Sequence, residues 1–173
     1  MNSVMKRSAV IGALLVLGST AFARQDTGIR NFLWVNSQFC TAGQPTLEQL
    51  TGLRDQGVRA VLNLRPAAEF DATTEEARVR ELGMRYYNIP VDGASIQDGQ
   101  VEEFLRLSDD ESNHPMFIHC ASANRVGAFW LIRRVLRDGW EVAQAQEEAE
   151  RVGLRAASLR EFALDYVRRH PAN

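Results

Sequence analysis

The sequence predicts an α/β domain whose central sheet is mostly parallel and flanked by helices, and three observations carry this prediction. Apolar, branched segments alternate along the chain with amphipathic segments of helical period. Glycine or proline stands at most of the junctions between them. Once an N-terminal segment of 23 residues is set aside, 150 residues remain, which is the length of one domain with a substantial core.

Residues 1–23 have the pattern of a secretory signal peptide. Lys6 and Arg7 form a basic start, residues 9–17 are apolar, and residues 21–23 read Ala-Phe-Ala, a small-residue cleavage pattern. The apolar run is short for a membrane span, so an uncleaved anchor is the alternative interpretation. We expect a periplasmic or secreted protein with no membrane attachment after cleavage near Ala23 and Arg24.

The chain after the signal peptide is mildly acidic. Residues 1–23 hold two basic and no acidic residues, which leaves 18 basic and 22 acidic residues and a net charge of −4. This charge and the absence of a basic run argue against nucleic acid and anionic lipid as main partners. We predict a flexible leader at residues 24–30 and one catalytic domain at residues 31–173.

Five strands and six helices are predicted. The strands occupy residues 32–35, 38–42, 58–64, 84–91 and 116–119. The helices run from Thr46 to Gly57, over 73–82 and 100–107, from near Val126 to Gly139, and over 141–152 and 159–169.

Capping and periodicity support the first elements. Thr46 with Gln49 three residues later matches a capping box, and Gly57 is a typical helix stop. The segment 58–64 alternates and is rich in branched residues, which predicts a strand. One face of this strand is expected to hold Val58, Ala60, Leu62 and Leu64.

Apolar faces support the later helices. Gly83 ends the second helix, and the third helix should point four apolar residues inward: Val101, Phe104, Leu105 and Leu107. The helix after Val126 has a broad apolar face and is expected to be central and largely buried. This face holds Ala128, Phe129, Leu131, Ile132, Val135 and Leu136.

The segment from His119 to Arg125 predicts the functional site. An apolar strand leads into Cys120, and a helix follows at once. The backbone N–H groups of such a loop, here Ala121, Ser122, Ala123 and Asn124, can converge on an anion at the helix N-terminus. The positive potential there favours the thiolate, which is the nucleophilic form of cysteine. Arg125 adds a planar fork of donors suited to a tetrahedral oxyanion.

Other polar residues follow the ends of neighbouring strands. If the sheet is parallel, Arg65 and Asp92 gather with Cys120 at its carboxyl edge, where ligands bind. Asp92 is the candidate acid for a leaving oxygen, and a turn residue is the alternative, since Asp-Gly is a common turn pair. Asp98 is the second candidate for the acid, and a helix N-cap is its alternative interpretation. Arg65 either supports the loop or is a surface residue.

His119 is expected to point to the opposite side of its strand from Cys120. It therefore acts either behind the loop or as a packed core residue. Of the three histidines, His114 and His170 are isolated in sequence, so the three suggest no metal site, and the chemistry needs no cofactor. Cys40 is the only other cysteine, and an exported chain with two cysteines leaves a Cys40–Cys120 disulfide open.

These motifs resemble the cysteine-dependent dual-specificity-like phosphatases. The chain is most similar to their bacterial branch, the phosphatase-like domain of beta-lactamase-hydrolase-like proteins. The resemblance rests on Gly43-Gln44-Pro45-Thr46, Asn63-Leu64-Arg65-Pro66, Ile89-Pro90-Val91-Asp92, and His119-Cys120 through Arg125 with Gly127. It implies a phosphatase-like fold, Cys120 as nucleophile, Arg125 as phosphate ligand and Asp92 as acid.

The chain departs from the usual phosphatase pattern in three places. Four residues separate Cys120 from Arg125, where typical tyrosine and dual-specificity phosphatases have five. Ala123 replaces the usual loop glycine, and Val126 replaces the hydroxyl residue after the arginine. A phosphatase acting on a phosphorylated protein or small molecule is the favoured function. The alternatives are a rhodanese-type sulfurtransferase, which has the shorter loop, and a non-catalytic anion-binding module.

Overall fold

The computed structural model describes residues 27–171. One five-stranded sheet organises this part of the chain, in the order β1-β2-β5-β3-β4. The strands are β1 (Leu33–Trp34), β2 (Phe39–Ala42), β3 (Ala60–Asn63), β4 (Arg85–Asn88) and β5 (Met116–His119). Strands β2, β5, β3 and β4 are parallel to one another, and only β1 pairs antiparallel, along β2. The predicted α/β class with a mostly parallel sheet is confirmed.

Six α-helices surround the sheet in residues 27–171. They are α1 (Leu47–Asp55), α2 (Ala72–Glu81), α3 (Asp98–Asp109), α4 (Asn124–Leu136), α5 (Val142–Val152) and α6 (Ala157–Arg169). Of these, α5 and α6 pack on α4. The capping box at the start of α1 is formed as expected, because the Thr46 hydroxyl accepts from Gln49 N–H and the Gln49 side chain accepts from Thr46 N–H. Two 3-10 turns, Ala67–Glu69 and Glu111–Asn113, were not predicted.

The two faces of the sheet pack into separate apolar clusters. On one face Leu62, Ile118 and Cys120 pack beneath the buried central helix α4 and its neighbours α3, α5 and α6. On the other face Cys40, Val61 and Phe117 pack with the residues of α1 and α2. The expectation that Val58 shares a face with Ala60, Leu62 and Leu64 is wrong, since Val58 precedes β3 and joins the second cluster.

The N-terminal residues of the described chain contact the site-bearing edge. Ile29 is buried in the second cluster, and the Arg30 carbonyl accepts a hydrogen bond from Gly43 N–H at 2.8 Å. These residues fall inside the segment predicted as a leader, whereas the predicted signal peptide lies outside the described residues. Between residues 27 and 171 no helix is long and apolar enough to cross a bilayer.

Candidate active site

The carboxyl ends of the parallel strands bring the predicted site residues together. The Gln44 N–H after β2 donates to the Ala121 carbonyl at 3.3 Å, and Arg125 donates to the Val91 carbonyl after β4 at 2.8 Å. Cys120 follows β5 directly, in the centre of the sheet. Because all these strands run the same way, residues from distant parts of the sequence meet at one edge.

The loop after Cys120 is held from outside through its carbonyl groups. The Ala121 carbonyl accepts from Gln44, and the Ser122 carbonyl accepts from the Asn31 side chain at 3.0 Å. A trans peptide points its N–H opposite to its carbonyl, so the Ser122 N–H faces away from Gln44. Gly43 permits this close approach, because a Cβ at that position would lie 2.9 Å from the Ala121 oxygen.

Ala123 adopts the conformation that the loop requires, although it carries a Cβ. Its φ of 65° lies in the left-handed region, and the residue is fully buried. Gly153 lies against it, and a Cβ on Gly153 would approach the Ala123 Cβ to 2.9 Å. The Asn124 side chain is used elsewhere, since its oxygen accepts from the N–H groups of Arg155 and Ala156. The Asn124 side-chain oxygen therefore holds the segment at Arg155 and Ala156 against the loop.

Arg125 forms a two-point ion pair with Glu69. Its Nη1 donates to Glu69 Oε1 at 2.9 Å and to the Val91 carbonyl, and its Nη2 donates to Glu69 Oε2 at 2.7 Å. The pKa of Glu69 is lowered by the hydrogen bond from Arg125, with Arg65 adding to the effect. Burial disfavours the charge on Arg125, but the Glu69 carboxylate and the neighbouring Cys120 outweigh it and raise the pKa of the guanidinium.

These bonds leave one fork of the guanidinium available. Glu69 and Val91 bond to the two Nη groups, and the Nε–H with the second hydrogen of Nη2 forms the other donor pair. Cys120 interacts with the Arg125 guanidinium and is 1% exposed. The site therefore combines a sulfur nucleophile with a charged, pre-oriented, two-point oxyanion donor.

The two cysteines are not joined. No disulfide links Cys40 to Cys120, and the two residues belong to the apolar clusters on opposite faces of the sheet.

His119 points away from Cys120, toward the face of the sheet covered by α2. It is fully buried, stacks on Phe117 with ring centres 5.3 Å apart, and its Nε2 lies 2.8 Å from Glu75 Oε1. The sequence left two interpretations of His119 open, a role behind the loop or a packed core residue. The structure places the imidazole in a polar network behind the loop. Glu75 itself was not singled out from the sequence.

Asp92 follows Val91, the residue whose carbonyl holds Arg125, so its backbone adjoins the site. Its carboxylate is engaged in a turn, where it accepts from Ala94 N–H at 3.0 Å and from the Ser95 hydroxyl at 3.3 Å. The turn interpretation thus describes its present side-chain contacts, and the acid role stays a prediction.

Arg65 contacts the site through Glu69. Its Nη2 donates to the Glu69 carbonyl, its Nε approaches Glu69 Oε2 at 3.4 Å, and its Nη1 donates to Gln44 Oε1 at 2.6 Å. Arg65 therefore supports the 3-10 turn that carries Glu69 rather than contacting the Cys120 loop. Glu69 was also missed from the sequence, although its position four residues after Arg65 is a spacing that pairs opposite charges.

Among residues 27–171, no group of three or more histidine, cysteine, aspartate or glutamate side chains is placed to hold a metal ion.

Comparisons with known proteins agree with this geometry. Residues 25–163 match the family model described as a DSP-PTPase phosphatase fused to NAD+ kinase. The chain is 27% identical over 124 residues to a beta-lactamase hydrolase-like protein of Xylella fastidiosa, covering 69% of this chain and 27% of that protein. It thus spans about a quarter of that relative's length.

Two other similar proteins are matched over a larger share of their own length. Dual specificity protein phosphatase TpbA of Pseudomonas aeruginosa is 27% identical over 169 residues, which is 93% of this chain and 77% of that protein. A crystal structure of a DUF442 protein from Shewanella putrefaciens superposes with a TM-score of 0.70 at 25% identity, covering 83% of this chain and 95% of the other. The predicted resemblance is confirmed, and the chain belongs to the DSP-PTPase phosphatase family, the dual-specificity-like branch of the cysteine-dependent phosphatases.

Proposed function

We propose that this protein hydrolyses phosphomonoesters of the tyrosine or dual-specificity type through a phosphocysteine intermediate on Cys120. One observation carries the proposal: the buried Cys120 lies beside an Arg125 guanidinium that Glu69 and Val91 hold by its Nη groups. The name of the Pseudomonas relative, a dual specificity protein phosphatase, supports the same substrate class.

In the first step the Cys120 thiolate attacks phosphorus, so an S–P bond forms as the P–O bond to the leaving group breaks. Phosphoryl transfer depends mainly on positioning and on stabilising the charge of the equatorial oxygens. The free fork of Arg125 and the loop N–H groups would hold these oxygens. Asp92 would give its proton to the leaving oxygen, which requires its carboxylate to exchange the Ala94 and Ser95 contacts for the substrate.

In the second step water attacks the phosphorus of the phosphocysteine and the S–P bond breaks. Inorganic phosphate leaves, and the Cys120 thiolate is regenerated. Asp92, now ionised, would accept the proton of the water. Val126 supplies no hydroxyl to assist the departing thiolate. We expect this step to be the slower one.

The test is phosphate release from p-nitrophenyl phosphate by the reduced full chain, with Cys120→Ser and Arg125→Lys alongside. The proposal predicts turnover that Cys120→Ser abolishes and vanadate inhibits. Thiocyanate formation from thiosulfate and cyanide, without phosphate release, would instead support the sulfurtransferase alternative. If the protein shows neither activity while its thiols are free, the anion-binding module would be supported.

We further propose that the protein is exported, on the signal-peptide pattern at residues 1–23. Expression of the full chain in a bacterial host should yield periplasmic protein whose N-terminus is Arg24. Retention in the cytoplasm with an intact N-terminus would overturn this.

A further inference from the structure

A buried carboxylate lies directly behind the predicted phosphate loop, and the mechanism above does not use it. Glu75 belongs to α2 and is 3% exposed. Its Oε1 accepts from His119 Nε2 at 2.8 Å and from Asn63 Nδ2 at 3.1 Å, and its Oε2 accepts from Gln44 Nε2. These three donors stand at the ends of β5, β3 and β2. One carboxylate therefore ties together the carboxyl ends of three neighbouring strands.

The charge on Glu75 determines how its partners are oriented. A carboxylate only accepts hydrogen bonds, so both amides must turn their NH2 groups toward it and the imidazole must carry its proton on Nε2. Burial by itself would raise the pKa of Glu75, but the hydrogen bond and charge of His119, with the bonds from Gln44 and Asn63, outweigh it and lower the pKa.

The orientation of the amides in turn places Arg65. With their NH2 groups on Glu75, the two amide oxygens face the other way, and both accept from Arg65. Gln44 Oε1 accepts from Arg65 Nη1 at 2.6 Å, and Asn63 Oδ1 accepts from Arg65 N–H at 2.8 Å. Arg65 then holds Glu69, which fixes the Nη groups of Arg125.

We propose that Glu75 is a positioning residue for the phosphate site, acting through Gln44, Arg65 and Glu69 on Arg125 and through His119 on the end of the strand that precedes Cys120. This inference rests on the proposed function of the Cys120 site. Glu75 contacts neither Cys120 nor Arg125 in the bonds described, so its effect is transmitted entirely by side-chain orientation.

Glu75→Gln tests this because it preserves size but converts one acceptor oxygen into a donor. If the new NH2 faces Gln44, the Gln44 amide must turn over, and its NH2 then opposes the Arg65 guanidinium. If it faces His119 and Asn63, it opposes the two N–H donors that now bond to Glu75 Oε1, and these hydrogen bonds are lost or must be rearranged. Both arrangements break one arm of the network.

The matched control is Glu76→Gln, the next residue on α2, whose carboxylate pairs with Arg80 away from the site. For Glu75→Gln we expect kcat/KM for p-nitrophenyl phosphate and the affinity for inorganic phosphate to fall roughly 10- to 100-fold, as for loss of a hydrogen bond to a charged group. The Nε2 proton of His119 should also lose its downfield NMR signal or change position. Glu76→Gln should match the wild type in all three measurements.

Folded Glu75→Gln with the phosphate affinity and His119 signal of the control would overturn the inference. A wild type that binds phosphate but does not hydrolyse the ester would overturn the proposed function alone, because phosphate affinity and the NMR signal still report on Glu75. If Glu75→Gln does not fold, Gln44→Met cuts only the arm to Arg65. It should weaken phosphate binding and leave the His119 signal in place, and unchanged phosphate affinity in that variant would refute the relay.

Discussion

Glu69 and Arg125 form a two-point ion pair with N–O distances of 2.9 and 2.7 Å, although 56 residues separate them in sequence. The pair uses the Nη edge of the guanidinium and leaves the Nε edge for a ligand. The two residues come from the 3-10 turn after β3 and from the first turn of α4. Glu69 therefore orients Arg125, the residue predicted to bind phosphate, and leaves the remaining N–H donors of Arg125 unused.

Replacing Glu69 with glutamine should weaken oxyanion binding, because Arg125 loses its charged partner and its fixed orientation. We expect the inhibition constant for vanadate and the KM for p-nitrophenyl phosphate to rise several-fold, up to about tenfold, given that Glu69 is partly exposed. Glu76→Gln is the control. Tighter vanadate binding in Glu69→Gln would instead mean that the carboxylate competes with phosphate for Arg125.

Removal of the Asp92 carboxylate should slow the hydrolysis of a substrate to an extent that depends on its leaving group. Asp92→Asn is expected to lower kcat/KM, which reports the first step, roughly 100-fold or more for phenyl phosphate, whose leaving oxygen needs a proton, and much less for p-nitrophenyl phosphate. Asp98→Asn is the control, because Asp98 is paired with Arg169 at 2.6 and 2.9 Å. The opposite pattern, with Asp98→Asn impaired and Asp92→Asn normal, would reassign the acid.

At position 123, a larger side chain should change the free energy of unfolding more than the exchange of alanine for glycine does. Ala123→Gly removes a buried methyl but relieves the left-handed conformation, so the free energy of unfolding should change by about 1 kcal/mol or less. Ala123→Val adds a branched side chain at positive φ against Gly153, and should cost roughly 1–3 kcal/mol. Urea unfolding measures both. A Val variant as stable as the Gly variant would show that the loop relaxes freely.

Acid should destabilise the protein in part through Glu75. Its pKa in the folded state lies below the ordinary value of 4.5, so between the two values the unfolded chain binds a proton that the folded chain does not. The contribution of Glu75 to stability is complete above about pH 4.5 and is lost as the pH falls through the lowered folded pKa. Urea unfolding between pH 3 and 7 should show a smaller loss of stability below pH 4.5 in Glu75→Gln than in the wild type. Equal slopes in the two proteins would contradict this.

Local signals made most of the fold predictable from the sequence. The box formed by Thr46 and Gln49 fixed the start of α1, and the apolar run before Cys120 gave β5 with the bounds that the structure shows. The start of α4 was placed two residues late, since Ala123 in the left-handed region lets the helix begin at Asn124.

Long-range pairing made the rest of the site unpredictable. Glu75 lies 44 residues from His119, and Glu69 lies 56 residues from Arg125, so neither partner is visible in a local pattern. On α2, Glu75 looks like one more charge in an acidic and basic helix, and only the packing of that helix on the sheet buries it. Carboxylates that orient other side chains are therefore found from the folded structure.

Detection of a phosphoryl group on Cys120 tests the proposed phosphocysteine mechanism most directly. The reduced protein is mixed with excess p-nitrophenyl phosphate, quenched in acid within the first turnovers, and digested for mass spectrometry. We expect the peptide containing Cys120 to carry one phosphoryl group and free phosphate to appear as this adduct decays. The Cys120→Ser variant should carry no phosphoryl group and release no phosphate. Sustained phosphate release with an unmodified Cys120, or with Cys120→Ser, would contradict this mechanism.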